Sequence, residues 1–424
     1  MRILIVSHNC FDRRNNMGKT LLSYFRGFQP EELAQFYIQN TPPAGDSLCR
    51  DFYRFTDLDA VRALLFRRSS GGRIMPGEAQ GKAAVSHGLL HQFGDKRTVA
   101  GMLLRELVWA SRPWDAPDFW EWVADFGPEV VFFAAGDYGF SYDIARRVSE
   151  RTGAALAVCC VDDHYLHNRN AGSLPGRLLH RRFLRTVQRT MDRARWIFTI
   201  SQSLQREYTK LFQKDCRILH TPALAEEPDG AMDSGISYLG WLELGRPEQL
   251  VAIGRTLKAL ALPQGPNFLD VYAQEGDPRA LAQMTEENGI RFHGGVSPEE
   301  VVRILGRSRV VVHTESFAEE MQNIVRHSVS AKIPDALRNG GCILAYGPEG
   351  VASIDYLKQH GAAFCITRPE DLADGLRTLL TEDALRREIV ARARDLAAQN
   401  HGMYAGTKLL RQCFGEVLHE DPAN

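Results

Sequence analysis

Short apolar runs rich in β-branched residues alternate along the chain with stretches whose apolar residues recur every three or four positions. This alternation predicts a parallel sheet covered by helices. Arg2-Ile3-Leu4-Ile5-Val6 reads as the first strand, with a helix opening over Lys19 to Phe25. Val130 to Phe133, Ala155 to Val158 and Trp196 to Ile200 follow as further strands. They are apolar throughout rather than alternating, the mark of strands buried on both faces.

A Glu, Pro, Gly and Asp-rich stretch over 223–234 interrupts the rhythm and reads as a linker. The pattern then restarts with Ile236 to Leu239, Gly240 and a helix from about Pro247 to Leu260. Further strands are expected at Phe268 to Tyr272, Ile290 to Phe292, Val310 to Val312 and Cys342 to Ala345. The expected architecture is α/β, with two doubly wound Rossmann-like domains facing across a cleft, over 1–222 and 235–400. Ligands of such sheets bind outside the carboxyl ends of the strands. The stretch from Arg67 to Thr98 has no strong period and reads as a mobile excursion of the first domain.

A chain of 424 residues has the length of two or three domains. Its formal net charge of -1 argues against a nucleic-acid binder, which carries a clear basic excess. No apolar run approaches the length of a membrane span, and Met1 to Asn9 lacks the pattern of a signal peptide, so cytoplasmic residence is expected. The eight cysteines form no Cys-x-x-Cys pair, which indicates core packing rather than zinc or disulfides.

The most informative segment runs from Arg291 to Tyr356. It contains Phe292-His293-Gly294-Gly295-Val296, then Val312-His313-Thr314-Glu315-Ser316-Phe317, then Ser330-Ala331-Lys332-Ile333-Pro334-Asp335, then Leu344-Ala345-Tyr346-Gly347-Pro348. It resembles the carboxy-terminal domain of retaining GT-B glycosyltransferases, in which a Glu-x-Phe element precedes a second acid that opens a helix ending in glycine. The common form of that family has Glu and Glu with seven residues between them. Here Glu315 and Asp335 have nineteen residues between them, closer to bacterial relatives with a Ser-Thr-Lys-Ile-Pro element, and Ala331 replaces the usual Thr.

The resemblance implies a nucleotide-sugar donor, UDP- or GDP-linked, with no resident cofactor and no metal, and retention at the sugar. The acceptor is a glycan, a lipid-linked sugar or a small molecule. Asp335 would accept the ribose hydroxyls and Glu315 those of the donor sugar, through charge-assisted hydrogen bonds. A helix beginning near Ser330 would offer unpaired amides to the diphosphate. Arg246 and Lys332 would add positive charge there, and Gly240, Gly295 and Val296 would line the nucleotide through their backbone. A final helix over 401–424, with Leu409, Leu410, Cys413, Phe414 and Val417 at helical spacing, would cross back to the first domain. The alternative function is a catalytically silent GT-B scaffold or binding protein.

In the first half, Val161-Asp162-Asp163-His164-Tyr165 follows a buried strand. Asp163 or His164 bonds the donor sugar or assists the acceptor hydroxyl, or the acids simply cap the loop. His164 and His167 match no common metal-ligand spacing. Asp137, in Gly136-Asp137-Tyr138-Gly139, is a further acceptor-side candidate. Asn16-Met17-Gly18-Lys19-Thr20 ends like a phosphate-binding P-loop, but Arg13 stands where that motif needs glycine. Gly18 instead reads as the close-approach residue of the first βα loop, facing the cleft. Arg177 to Arg195 carries seven arginines among apolar residues at helical spacing, either a surface helix or one resting on an anionic membrane.

Overall fold

The computed structural model describes residues 1–12, 16–44, 47–66, 71–75, 99–166, 173–223, 235–263, 265–274, 276–339 and 341–418. All but Ala223 of the linker expected over 223–234, most of the excursion over 67–98, and His167 lie outside the described residues. The chain divides into one unit of Met1–Leu219 with Gly406–Asn424, and a second of His220–Ala405.

The first unit is built on an eight-stranded sheet. Its strands are β1 (Ile3–Ser7), β2 (Leu33–Tyr37), β3 (Asp51–Arg54), β4 (Gly72–Ile74), β5 (Val130–Ala134), β6 (Ala155–Cys160), β7 (Trp196–Thr199) and β8 (Cys216–Ile218). Their order is β4-β3-β2-β1-β5-β6-β7-β8. Every pairing is parallel except that of β3 with β4. Strand β4 falls inside the stretch without periodicity, where three residues are too few to leave a pattern.

Strands β1 and β5 are buried at every position, as their unbroken apolar sequences require. The helix Ala405–Leu418 places Leu410, Cys413 and Phe414, all fully buried, in the core of this first sheet. Phe414 packs on Trp196 and Phe198 with ring centroids 5.2 and 6.4 Å away. The chain therefore returns to the first unit after completing the second.

The second unit holds an all-parallel sheet of β9 (Ile236–Gly240), β10 (Leu269–Ala273), β11 (Ile290–Phe292), β12 (Val310–Thr314), β13 (Cys342–Tyr346) and β14 (Phe364–Ile366), in the order β11-β10-β9-β12-β13-β14. The strand order reverses between β9 and β12. A crevice opens at such a reversal because the loops leaving the two central strands turn to opposite faces of the sheet. Gly254 and Gly289 let a covering helix approach this sheet closely. A β-carbon on Gly289 would lie 2.1 Å from the Gly254 carbonyl oxygen.

All eight cysteines are free, and all but Cys365 are buried. Among the described residues no helix is long and apolar enough to cross a membrane.

Candidate functional site

The loops at the carboxyl ends of β9 and β12 meet at the strand reversal. After β9 the chain turns through Leu244 and Gly245, with φ of 57° and 70°, into the helix Arg246–Leu260. Gly245 is needed twice: its left-handed backbone favours glycine, and a β-carbon would sit 2.5 Å from Ser316 Oγ. This close approach delivers Arg246, the first residue of the helix, to Glu315 just beyond β12.

The Arg246 Nη2 group donates to both carboxylate oxygens of Glu315, at 3.2 and 3.0 Å, and Nε donates to the Thr314 carbonyl at 3.2 Å. The Glu315 side chain is 3% exposed. Its backbone amide donates to the Tyr346 carbonyl at the end of β13, and Ser353 Oγ donates to its Oε1 at 3.4 Å. Burial pushes the Glu315 carboxyl up from its ordinary pKa, and the Arg246 guanidinium only partly offsets this. Burial also acts against the charge on Arg246, but Glu315 outweighs it and holds the guanidinium protonated.

His313, on β12, completes the cluster. Its Nε2 is buried without a hydrogen-bond partner among the described residues and lies 3.6 Å from Glu315 Oε1. Burial, reinforced by Arg246 and Lys332, holds this imidazole at about 3, so it is neutral near physiological pH. Lys332 itself is exposed, and its charge acts on both His313 and Glu315. The carboxyl edge of a parallel sheet thus carries two cations, a buried carboxylate and a neutral imidazole. Such a set can hold a ligand with a negatively charged group beside hydroxyls.

The helix expected from Ser330 begins later, at Ile333, and spans only Ile333–Arg338. Lys332 occupies its N-cap position, and the preceding turn closes when the Ile333 amide donates to the Ser330 carbonyl. Pro334 suits its first-turn position because it has no amide to satisfy. Asp335 stands half-buried on that first turn, and its carbonyl accepts from the amide and side chain of Asn339. A six-residue helix offers little macrodipole, so the positive charge here comes chiefly from Lys332 and Arg246.

At the far edge, Gly294 has φ of 76° and Gly295 lies where a β-carbon would meet Gln274 Cγ at 3.1 Å. Val296 follows, half-buried. His293 stacks on Tyr272 with centroids 4.5 Å apart, and its Nε2 is 2.7 Å from Asp270 Oδ1. Gly240 ends β9, and the Tyr238 hydroxyl crosses over it to donate to the Trp241 carbonyl at 2.8 Å.

The first-unit candidates fare differently. Asp163 is buried, and its Oδ1 accepts from the amides of Tyr165 and Leu166 at 3.0 and 2.9 Å and from the Tyr208 hydroxyl at 3.1 Å. That carboxylate holds its own loop together, in line with the loop-capping alternative. His164 remains half-buried beside it. Gly18 lies inside the helix Asn16–Phe25, pressed on the backbone of Cys10 and Asp12, where a β-carbon would be 2.5 Å from the Asp12 oxygen. Its tight packing therefore serves the joint between helix and loop. His313, Gly245 and Ser353 were missed in the sequence, because each matters only through a neighbour brought in by the sheet.

A model of the family described as "Glycosyl transferase-like" matches residues 266–405. No curated protein matches the chain significantly. Among solved structures, E. coli trehalose-6-phosphate bound with UDP-2-fluoro glucose is similar at a TM-score of 0.63 and 11% identity, over 98% of this chain and 99% of that one. Anabaena Alr3699/HepE in complex with UDP gives 0.63 and 11%, over 98% and 100% of the two chains. Sucrose-phosphate synthase from Thermosynechococcus elongatus gives 0.61 and 10%, over 99% and 100%. The chain therefore has the GT-B fold, two Rossmann-like α/β units, and the segment similar to the glycosyl transferase-like family falls within the second.

Proposed function

We propose that the protein transfers a glycosyl group from a nucleotide-sugar donor to an acceptor, with the donor held on the second unit. The observation that carries this reading is the Arg246–Glu315 pair at the strand reversal, with Lys332 near enough to act on the same carboxylate. Two similar structures hold UDP or a UDP-sugar, so a UDP-linked donor is the first choice and a GDP-linked donor the second.

In this reading Lys332 and one face of Arg246 meet the diphosphate, Glu315 meets the sugar hydroxyls, and Asp335 meets the ribose. Gly240, Gly295, Val296 and Ser330 shape the nucleotide seat. As the glycosidic bond breaks, charge grows on the leaving diphosphate, and fixed cations stabilise that state more than the bound substrate. His313 lends no charge of its own, so it leaves the balance between Arg246 and Glu315 undisturbed. Transfer proceeds with retention, and His164 assists the acceptor side.

Incubation with UDP- and GDP-sugars, followed by assay for free nucleotide diphosphate, tests the reading. Release from one donor class is the expected result; release from none, with any acceptor offered, contradicts it. Asp335→Ala is expected to weaken nucleotide binding by about 1.5 to 3 kcal/mol, the worth of a hydrogen bond to a charged group. Titration calorimetry with the free nucleotide checks this, with an unchanged melting temperature showing that the fold is intact.

A further inference from the structure

The first unit presents a second surface unrelated to the strand reversal. The helix Val99–Ala110 packs against both Asp57–Phe66 and Leu174–Arg193. On the two touching helices, Leu104, Leu107, Leu174 and Leu178 are all between 62% and 73% exposed. Leu65 and Phe66 on the third helix are comparably bare. Leucines this exposed, in neighbouring helices, mark a surface that something covers.

The charge beside them identifies the cover. The outer face of Leu174–Arg193 carries Arg177, Arg181, Arg182, Arg185 and Arg189, all exposed, over about 18 Å of helix. On another helix of the same unit, Arg146 and Arg147 both pair with Asp143. By contrast, Arg181, Arg185 and Arg189 make no ion pair among the described residues. Arg182 feels the charge of Glu106, whose carboxylate caps Gly139, and the helix's own acid, Asp192, lies at its far end. Protein interfaces gain most from Trp, Tyr and Arg, with leucine under-represented among the strong contacts. Leucines bordered by a stripe of one sign of charge suit a diffuse anionic sheet instead.

We propose that this face of the first unit docks on an anionic lipid bilayer, with the leucines entering the interface and the arginines meeting the headgroups. The docking does not depend on the reading of the second unit, so vesicle binding and nucleotide binding can fail separately.

Cosedimentation of the full chain with phosphatidylglycerol-containing vesicles tests the proposal, with pure phosphatidylcholine vesicles as the comparison. Binding to the anionic vesicles is expected, lost at high salt as the charges are screened. The triple variant R181Q/R185Q/R189Q is expected to weaken it by about a hundredfold, since each arginine contributes about 1 kcal/mol near such a surface. L104S/L107S is expected to weaken it as well, and both variants keep the parent melting temperature because the altered side chains are exposed. Three results overturn the proposal: no anionic binding, equal binding to both vesicle types, or binding indifferent to both variants. A dimer in sedimentation that L104S/L107S dissolves, without vesicle binding, also overturns it and assigns the face to a second copy of the chain.

Discussion

Arg246→Ala is expected to lower turnover at saturating donor by about a hundredfold, taking one lost transition-state contact as about 2.7 kcal/mol. The same substitution removes the partner of a carboxylate that is 3% exposed. Breaking a buried pair on one side costs about 3 to 5 kcal/mol, because the remaining charge is stranded. A lower melting temperature is therefore expected together with the kinetic loss, and the double variant Arg246→Ala with Glu315→Gln should regain part of the stability but none of the rate. Arg246→Lys should recover only part of the rate, since a point charge cannot reach Thr314, Glu315 and a phosphate together as a guanidinium fork can. If Arg246→Ala raises the Michaelis constant alone, the residue binds donor uniformly and does not stabilise the leaving group.

The second large effect is expected in acid. His401 is 2% exposed and joins the two segments that bound the second unit. A carbonyl can only accept, so His401 Nδ1 carries the hydrogen given to the Thr221 oxygen at 2.7 Å, and Nε2 accepts from the Tyr356 hydroxyl at 2.8 Å. Asn400 Nδ2 donates to that same hydroxyl oxygen at 3.0 Å, so the network is complete only with a neutral imidazole. His220 packs 5.2 Å from the His401 ring, and His360 lies beyond Tyr356.

Burial above all, with the neighbouring imidazoles, lowers His220 and His401 to about 4. The unfolded chain, with ordinary histidines near 6.5, binds more protons than the folded one between those values. Their stabilising contribution is therefore fully present above about pH 6.5 and is lost as the pH falls toward 4. Each costs about 2 to 3 kcal/mol by pH 4.5 at 1.36 kcal/mol per pKa unit, and His313 steepens the same slope. Melting temperature followed from pH 7.5 to about 4.5 should fall steeply, and His401→Gln should flatten the fall. A flat profile for the parent chain contradicts this account of the buried histidines.

Much of the fold was legible because β1, β5, β6, β7, β12 and β13 each contain an apolar run of three or more residues, buried at nearly every position. Strands β3, β8 and β14 were not. Strand β3 begins and ends with charged residues, Asp51 and Arg54, and the others are three residues long. Strand β2 hides a fully buried Gln35, which is satisfied only because its side chain bonds the Phe11 amide, Ser7 Oγ and the Asn9 carbonyl across the sheet. No local pattern announces such partners.

The site divides in the same way. Arg246 and Glu315 were each legible through the motifs around them, but not as a pair, because the sheet that brings them together reverses its strand order between them. Asp163 shows the same limit. Its sequence context suits a reactive carboxylate, while Tyr208, on a helix 45 residues away, draws it inward.

Titration of the full chain with uridine and guanosine diphosphates, beside the Asp335→Ala and Arg246→Ala variants, tests the central claim most directly. One nucleotide should bind the parent, and Asp335→Ala should weaken it about tenfold to hundredfold, in line with a charged hydrogen bond worth about 1.5 to 3 kcal/mol. Absence of binding by either nucleotide, or equal affinity in the parent and both variants, would place the donor away from the strand reversal of the second unit and contradict the account.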